Sequence, residues 1–558
     1  MKKESNTKKR TTTTKKRAPR AKALLKILVV ASEIDGVVKT GGLADFVAAL
    51  PKALILLGHD VRVVIPKYKN STFPTLNSKE NGWRYLKSES LYFNLNHYEH
   101  YGCLVHYADF IFSENVSDCN DSNSTDCHTI PVRLVEHHNF FSRDGIYDDG
   151  RFPYEDNALR YGFFCKAAID QCLTEQWIPD IIHCNDWQTA LLPYYLKEHY
   201  QYYPDFCPQL KKTKTLLTIH NGEYQGVADK KWLNALGILP ERFTSELMEE
   251  YGFLNLLKCG IMYADAVNAV SSGYSEELLQ PETSHRNLWQ YLRNRRENFT
   301  GILNGCDYTL WNPQNDPFIP HHFSAQDMSG KALCKSELQS RMNLPPKSDT
   351  LLFGLISRLT AQKGFDYLLP ALERILYEDD RFQIAILGSG EQYYGSWIHH
   401  LERRYSDKMG FVNGYDNSLS HLIEAGADFF LMPSLFEPCG LNQLYSLAYG
   451  TIPIIRETGG LKDTVMPIGL ESMQAAQAVK KTGRKSKQAS KTGQATGISF
   501  VYPDSNSCYE AIKQAVTLYF DYKPLYLEMQ QRAMSQKFTW YESAKKYDHV
   551  YKNLTSTK

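Results

Sequence analysis

Arg358 and Lys363 stand five residues apart in Ser357-Arg358-Leu359-Thr360-Ala361-Gln362-Lys363-Gly364, directly after the apolar run 352–356. Read as a loop between a strand and a helix, the segment carries a bidentate fork and a point charge that can converge on a diphosphate. An exposed basic loop would have the same residues. Glu437 lies in Pro433-Ser434-Leu435-Phe436-Glu437-Pro438-Cys439-Gly440-Leu441, again after an apolar run. A carboxylate between Phe and Pro is oddly placed for solubility alone. It can accept two sugar hydroxyls while the backbone N–H groups that follow it donate. Further on, Thr458-Gly459-Gly460 opens a helical stretch and reads as a second anion seat.

Two more clusters belong to the first half. Gly41 and Gly42, in Lys39-Thr40-Gly41-Gly42-Leu43, let backbone N–H groups approach an anion at a helix start. The helix dipole adds about half a positive charge there, and Lys39 a whole one. A tight strand-to-helix turn with a solvated lysine is the plain alternative. His220, after the run 216–219, can hydrogen-bond a sugar hydroxyl, although a lone histidine at a strand end is often structural.

These residues need strands behind them. The run 27–31 reads as a buried parallel strand, 43–57 as a helix and 61–65 as a second strand, which makes a βαβ unit. Short apolar runs recur at 181–183, 216–219, 266–270 and 301–303. A Trp/Asn/Pro/Asp-rich linker covers 311–320, and a second series follows at 352–356, 383–387, 429–432 and 452–455. Two successive doubly wound α/β domains are expected, with ligands in the cleft between them. Gly388-Ser389-Gly390 is not a dinucleotide fingerprint, because the third glycine position is Tyr393. No such fingerprint follows any strand, which argues against an NAD-dependent oxidoreductase.

A length of 558 residues suits two domains. The net charge of +1 is unevenly spread: residues 1–26 have a single acid, Glu4, among many Lys and Arg, and 472–503 have none. The folded body is therefore acidic. Residues 1–25 read as a basic disordered tail, with an organelle transit peptide as the alternative. Segments 113–128 and 472–496 read as low-complexity insertions. Twelve cysteines with no CxxC pair point to reduced thiols and a cytoplasmic protein. Cys119 and Cys127-His128 are too irregularly spaced to indicate a metal site. No run of 18 apolar residues marks a membrane span, and nothing marks a specific nucleic-acid partner.

Taken together, these motifs resemble the bacterial glycogen synthases and plant starch synthases, in order and over nearly the whole chain. The resemblance takes in Lys39-Thr-Gly-Gly-Leu, Asp156-Asn157-Ala-Leu-Arg160-Tyr161, Asn185-Asp186-Trp187, Asn304-Gly305-Cys306-Asp307, Ser357-Arg-Leu-Thr-Ala-Gln-Lys363, Gly414-Tyr415-Asp416, Phe436-Glu-Pro-Cys-Gly-Leu441 and Phe538-Thr-Trp540. It implies a GT-B fold, two Rossmann-like domains across a deep cleft: an acceptor-side domain at 26–310, a nucleotide-sugar domain at 311–535, and a closing helix at 536–558 that crosses back.

The resemblance further implies retaining transfer of glucose from ADP-glucose to an α-1,4-glucan, with no metal and no cofactor beyond that co-substrate. Arg358 and Lys363 then hold the pyrophosphate, Lys39, Gly41 and Gly42 close on it, and Thr458-Gly459-Gly460 assists. Glu437 and the Cys439-Gly440-Leu441 backbone hold the glucose, His220 lies beside the reacting sugar, and Asp186 lines the acceptor side. One departure bears on the site. The family usually reads His-Asn-Leu-Ala-Tyr-Gln-Gly where this chain has Gly222-Glu223 in the middle. A sucrose- or trehalose-type synthase and a non-catalytic glucan-binding protein are the rival readings.

Overall fold

The computed structural model describes residues 24–72, 79–80, 82–96, 98–113, 127–202, 207–475 and 493–556. Residues 1–23 of the expected basic tail, 114–126 and 476–492 of the two expected insertions, and with them Cys119, lie outside the described residues.

Among those residues the first half builds one sheet. Seven strands run parallel in the order Phe299–Gly301, Ala266–Ala269, Lys214–Ile219, Ile181–Asn185, Lys26–Val30, Asp60–Pro66 and Cys127–Glu136. His100–Ser113, Trp83–Asn94 and Lys79–Glu80 extend it antiparallel. That extension was not read from the sequence. Trp83–Asn94 mixes exposed and buried residues and lacks the continuous apolar run that marks a strand covered on both faces. Ile27, Leu28, Val29 and Val30, by contrast, are fully buried.

The second sheet is wholly parallel, in the order Met409–Asn413, Phe382–Gly390, Leu351–Leu359, Phe429–Met432, Ile452–Arg456 and Ile498–Phe500. Each sheet starts at a central strand, grows to one side, then returns to grow on the other. In the first sheet the reversal falls between Lys26–Val30 and Ile181–Asn185. In the second it falls between Leu351–Leu359 and Phe429–Met432. Such reversals splay the following loops apart and open a crevice at the strand carboxyl ends.

Two details differ from the sequence reading. The strand Leu351–Leu359 runs on through Ser357 and Arg358, so Arg358 leaves a strand rather than a loop. The connecting residues from Trp311 are no free tether. Trp311 is stacked between His421 and Tyr445, with ring centroids 3.8 Å away on both sides. Asp316 is fully buried, bonded to His421 Nδ1 at 2.7 Å and to the Tyr449 hydroxyl. Core-forming aromatics were hidden there in a polar, proline-rich composition.

The final helix, Trp540–Ser556, packs on Gly42–Leu56, with Trp540 and Tyr547 edge-on to Phe46. Its polar tips enter the first sheet. The Tyr551 hydroxyl meets His183 Nδ1 at 2.8 Å, and Asn268 Nδ2 donates to the Tyr547 oxygen at 3.0 Å. His183 Nε2 in turn meets Thr218 Oγ1. Buried polar groups strung together in this way hold the helix in one register.

Candidate functional site

A cavity of about 1360 Å³ opens between the sheets, at the carboxyl ends of both reversal points. Its second-sheet wall begins with Arg358, whose guanidinium reaches Gln362 Oε1 at 3.0 Å. Lys363 ends a short turn, and Gly364 follows it at φ 78. A Cβ on Gly364 would stand 1.9 Å from the Pro433 carbonyl oxygen. The left-handed glycine therefore lets this turn press against the neighbouring strand end. As a result Lys363 Nζ donates to Glu437 Oε2 at 2.6 Å, and Ser434 Oγ donates to the same oxygen at 2.9 Å.

The opposite wall starts with the glycine loop. Lys39 lies 2.6 Å from Asp45 and 3.4 Å from Asp35. Burial opposes its charge, but the two carboxylates outweigh burial and hold the ammonium above its usual pKa. A Cβ on Gly42 would sit 3.9 Å from Leu441 Cδ1, so the loop from one sheet faces the Cys439-Gly440-Leu441 turn from the other. Burial pushes the Cys439 thiol up to about 12. It stays protonated, and the residue's backbone is its polar contribution.

Asp186 follows the strand Ile181–Asn185 at φ 57, a left-handed conformation that non-glycine residues adopt at a cost. There its Oδ1 accepts the backbone N–H groups of His220 at 2.6 Å and Asn221 at 3.3 Å. Burial nevertheless pushes the carboxyl up to about 7, against those two bonds. His220 is drawn down to about 3 by burial and remains neutral. Asn185 Nδ2 donates to two carbonyls, Val30 and His183, which turns its oxygen toward His220 Nε2 at 2.9 Å. A carbonyl oxygen only accepts, so Nε2 carries the proton and Nδ1 is the acceptor nitrogen.

The cavity thus brings together Lys39, Gly41, Gly42, Asp186, His220, Arg358, Lys363, Glu437, Cys439, Gly440 and Leu441. Thr458, Gly459 and Gly460 are not in its lining, contrary to the expectation from sequence. The Gly459 N–H donates to Glu277 Oε1 of the first domain at 2.7 Å, and the Gly460 N–H to the Glu437 carbonyl at 3.0 Å. A carboxylate from the same chain already fills this anion seat. The arrangement is reciprocal, because Asp463 accepts the Gly273 N–H at the start of the Glu277 helix at 2.7 Å.

Sequence reasoning missed Glu33 and Tyr147. Glu33 is buried in the cavity wall and accepts from both the backbone and the hydroxyl of Thr40, and from the Tyr147 hydroxyl. Its position just past the first strand's carboxyl end was the available signal. Tyr147 is contributed by an irregular segment with no pattern to find. Among the described residues, no group of three or more His, Cys, Asp or Glu side chains could hold a metal ion. None of the described helices is long and apolar enough to cross a membrane.

Two Rossmann-like domains that share one cleft at their reversal points, lined from both walls by cations, carboxylates and glycine turns, define a GT-B glycosyltransferase. Comparison with known proteins narrows this. The family described as starch synthase catalytic domain matches residues 26–294, and glycosyl transferases group 1 matches 337–469. Glycogen synthase from Aeromonas salmonicida is 37% identical over 95% of this chain and 98% of its own. That from Photobacterium profundum is 38% identical over 94% of each. Among solved structures, the catalytic domain of starch synthase IV from Arabidopsis thaliana, bound to ADP and acarbose, is 29% identical. It superposes with TM-score 0.80 over 96% of this chain and 100% of its own. Sucrose-phosphate synthase from Thermosynechococcus elongatus shares the fold alone, with TM-score 0.52 at 16% identity. The chain belongs to the starch synthase and bacterial glycogen synthase family of hexosyltransferases.

Proposed function

We propose that this enzyme transfers glucose with retention from ADP-glucose to the non-reducing 4-hydroxyl of an α-1,4-glucan, releasing ADP. The observation that carries the reading is the meeting of Arg358, Lys363 and Glu437 at two adjacent strand ends, facing Lys39, His220 and Asp186 across one cavity. The ADP and acarbose bound to the Arabidopsis relative support it. Residues 26–310 then act as the acceptor side, 311–535 as the donor side, and 536–558 as the return helix. The described cysteines are all free thiols, which supports work in the cytoplasm.

An α-linked donor giving an α-linked product requires retention. Retaining glycosidases achieve it with two carboxylates about 5–5.5 Å apart, one of them a nucleophile. Here Glu437 is tied to Lys363 and Ser434, and Asp186 to two backbone N–H groups. A front-face displacement fits better. The bond from glucose C1 to the phosphate oxygen breaks, and the diphosphate leaves toward Arg358 and Lys363. The incoming 4-hydroxyl bonds to C1 from the same side, and its proton passes to the departing phosphate oxygen.

In this reading Lys39 and the backbone at Gly41 and Gly42 close on the diphosphate. Glu437 and the Cys439-Gly440-Leu441 backbone grip the glucose, and His220 Nδ1 accepts a hydroxyl. One donor aimed where charge develops is commonly worth about 3–4 kcal/mol. Closure of the two domains excludes water that would otherwise hydrolyse the donor. The test is a rate assay of purified protein with ADP-glucose or UDP-glucose and glycogen. Glycogen-dependent ADP release, with a product cut by an α-1,4-specific amylase, is expected. Absence of nucleotide release with either donor overturns the reading.

A further inference from the structure

Glu223 and Arg286 both line the first-domain wall of the cleft, are both exposed, and make no side-chain hydrogen bond or ion pair among the described residues. Their two loops are fastened to each other. Gln225 Nε2 donates to the Gly222 carbonyl at 3.0 Å and to the His285 carbonyl at 3.2 Å. The second loop is pinned on both sides of Arg286. Asn287 Nδ2 donates to Glu250 and Tyr251, and the His285 ring lies edge-on to Phe436, the neighbour of Glu437, at 4.6 Å. Arg286 itself is held at φ 50, where a side chain is disfavoured. The loops thus present two opposite charges on a braced backbone, beside the half-exposed ring of Tyr224.

The chemistry of the pair selects its ligand. Arg286 alone would suit a phosphate, but Glu223 in the same wall repels one. A neutral polyol satisfies both groups, because each hydroxyl can donate to the carboxylate and accept from the guanidinium. A tyrosine face suits the C–H side of a sugar ring. Glu223 also stands three residues past His220, on the first-domain wall that carries Asp186, whereas Arg358 and Lys363 belong to the second-domain wall. We propose that Glu223 and Arg286 form a specificity-determining subsite that grips a glucosyl unit of the acceptor chain. This rests on the glucan-synthase reading above and deepens it.

Arg286→Gly and Glu223→Gln test it. Glycine suits the φ of 50, so the first variant should fold at least as well as the parent. Each should raise the KM for glycogen, and the Kd for maltoheptaose measured by calorimetry without donor, by about tenfold. The KM for ADP-glucose should stay within about twofold. The double variant should lose less than the product of the two if both groups hold one sugar unit. A raised KM for ADP-glucose with an unchanged glycogen KM would reassign Arg286 to the diphosphate and overturn the proposal. Unchanged values on both sides overturn it equally. A parent enzyme that binds maltoheptaose but releases no ADP would instead defeat the synthase reading, leaving the binding arm to judge the subsite.

Discussion

Lys363 Nζ and Glu437 Oε2 lie 2.6 Å apart although 74 residues separate them in the chain. The cation assigned to the leaving diphosphate and the carboxylate assigned to the sugar are therefore one hydrogen-bonded unit, so each positions the other. Lys363→Ala should lower kcat by about 10²–10³-fold, the loss expected for one charge-stabilising donor. It should leave the thermal midpoint within a few degrees, since Glu437 keeps Ser434. Initial rates and a circular-dichroism melt check both parts. Near-parental turnover would remove Lys363 from the chemistry.

The raised pKa of Asp186 has a consequence for stability. Its folded value is about 7 against an ordinary 3.8, with burial as the dominant cause. Below pH 4 both folded and unfolded forms hold the proton, and the full contribution is present. Between about pH 4 and 7 the unfolded chain loses its proton first, so stability drains away as pH rises. Asp186→Asn keeps an oxygen for the His220 and Asn221 N–H groups and cannot ionise. Its melting temperature should rise relative to the parent from pH 5 to pH 8, by roughly 1–2 °C for each kcal/mol recovered. A constant difference over that range would contradict the assignment.

Glu277 and Asp463 cap each other's helices across the two domains, through Gly459 and Gly273. Glu277→Gln with Asp463→Asn weakens both caps, each worth about 1 kcal/mol. The pair should raise the donor KM and lower kcat by favouring an open cleft, with the domain cores intact. Small-angle scattering should show a larger radius of gyration than in the parent. An unchanged radius and unchanged kinetics would reduce these bonds to local capping.

The family's Leu at position 222 should not be tolerated here. A Cβ on Gly222 would meet Leu288 Cδ1 at 2.8 Å and Leu278 Cδ2 at 3.1 Å. Those leucines already fill the space, so Gly222→Leu should cost about 1–3 kcal/mol by overpacking. A urea titration reads this directly. A neutral result would mean that the loop at 285 moves freely.

Much of the site was legible because its motifs follow apolar parallel strands, and such strands announce themselves as unbroken runs. The run 429–432 matches the strand Phe429–Met432 residue for residue, and Glu437 follows it as expected. The antiparallel strands from Trp83 escaped because a half-exposed strand has no such run. Trp311 escaped because a stacking partner leaves no mark in local composition. Glu33 is a lone acid whose partners, Thr40 and Tyr147, become neighbours only after folding.

By itself the sequence determined which groups the enzyme owns: cations, glycines and a carboxylate, each placed at the end of a strand by short-range pattern. Tertiary structure decided which of them share a cleft. Thr458-Gly459-Gly460 is as good an anion seat as Lys39-Thr40-Gly41-Gly42 when judged locally, yet Glu277 occupies the first and the cavity receives the second. Helix-end electrostatics are local, but what fills a helix end depends on the packing of distant residues, and no spacing along the chain encodes that contact.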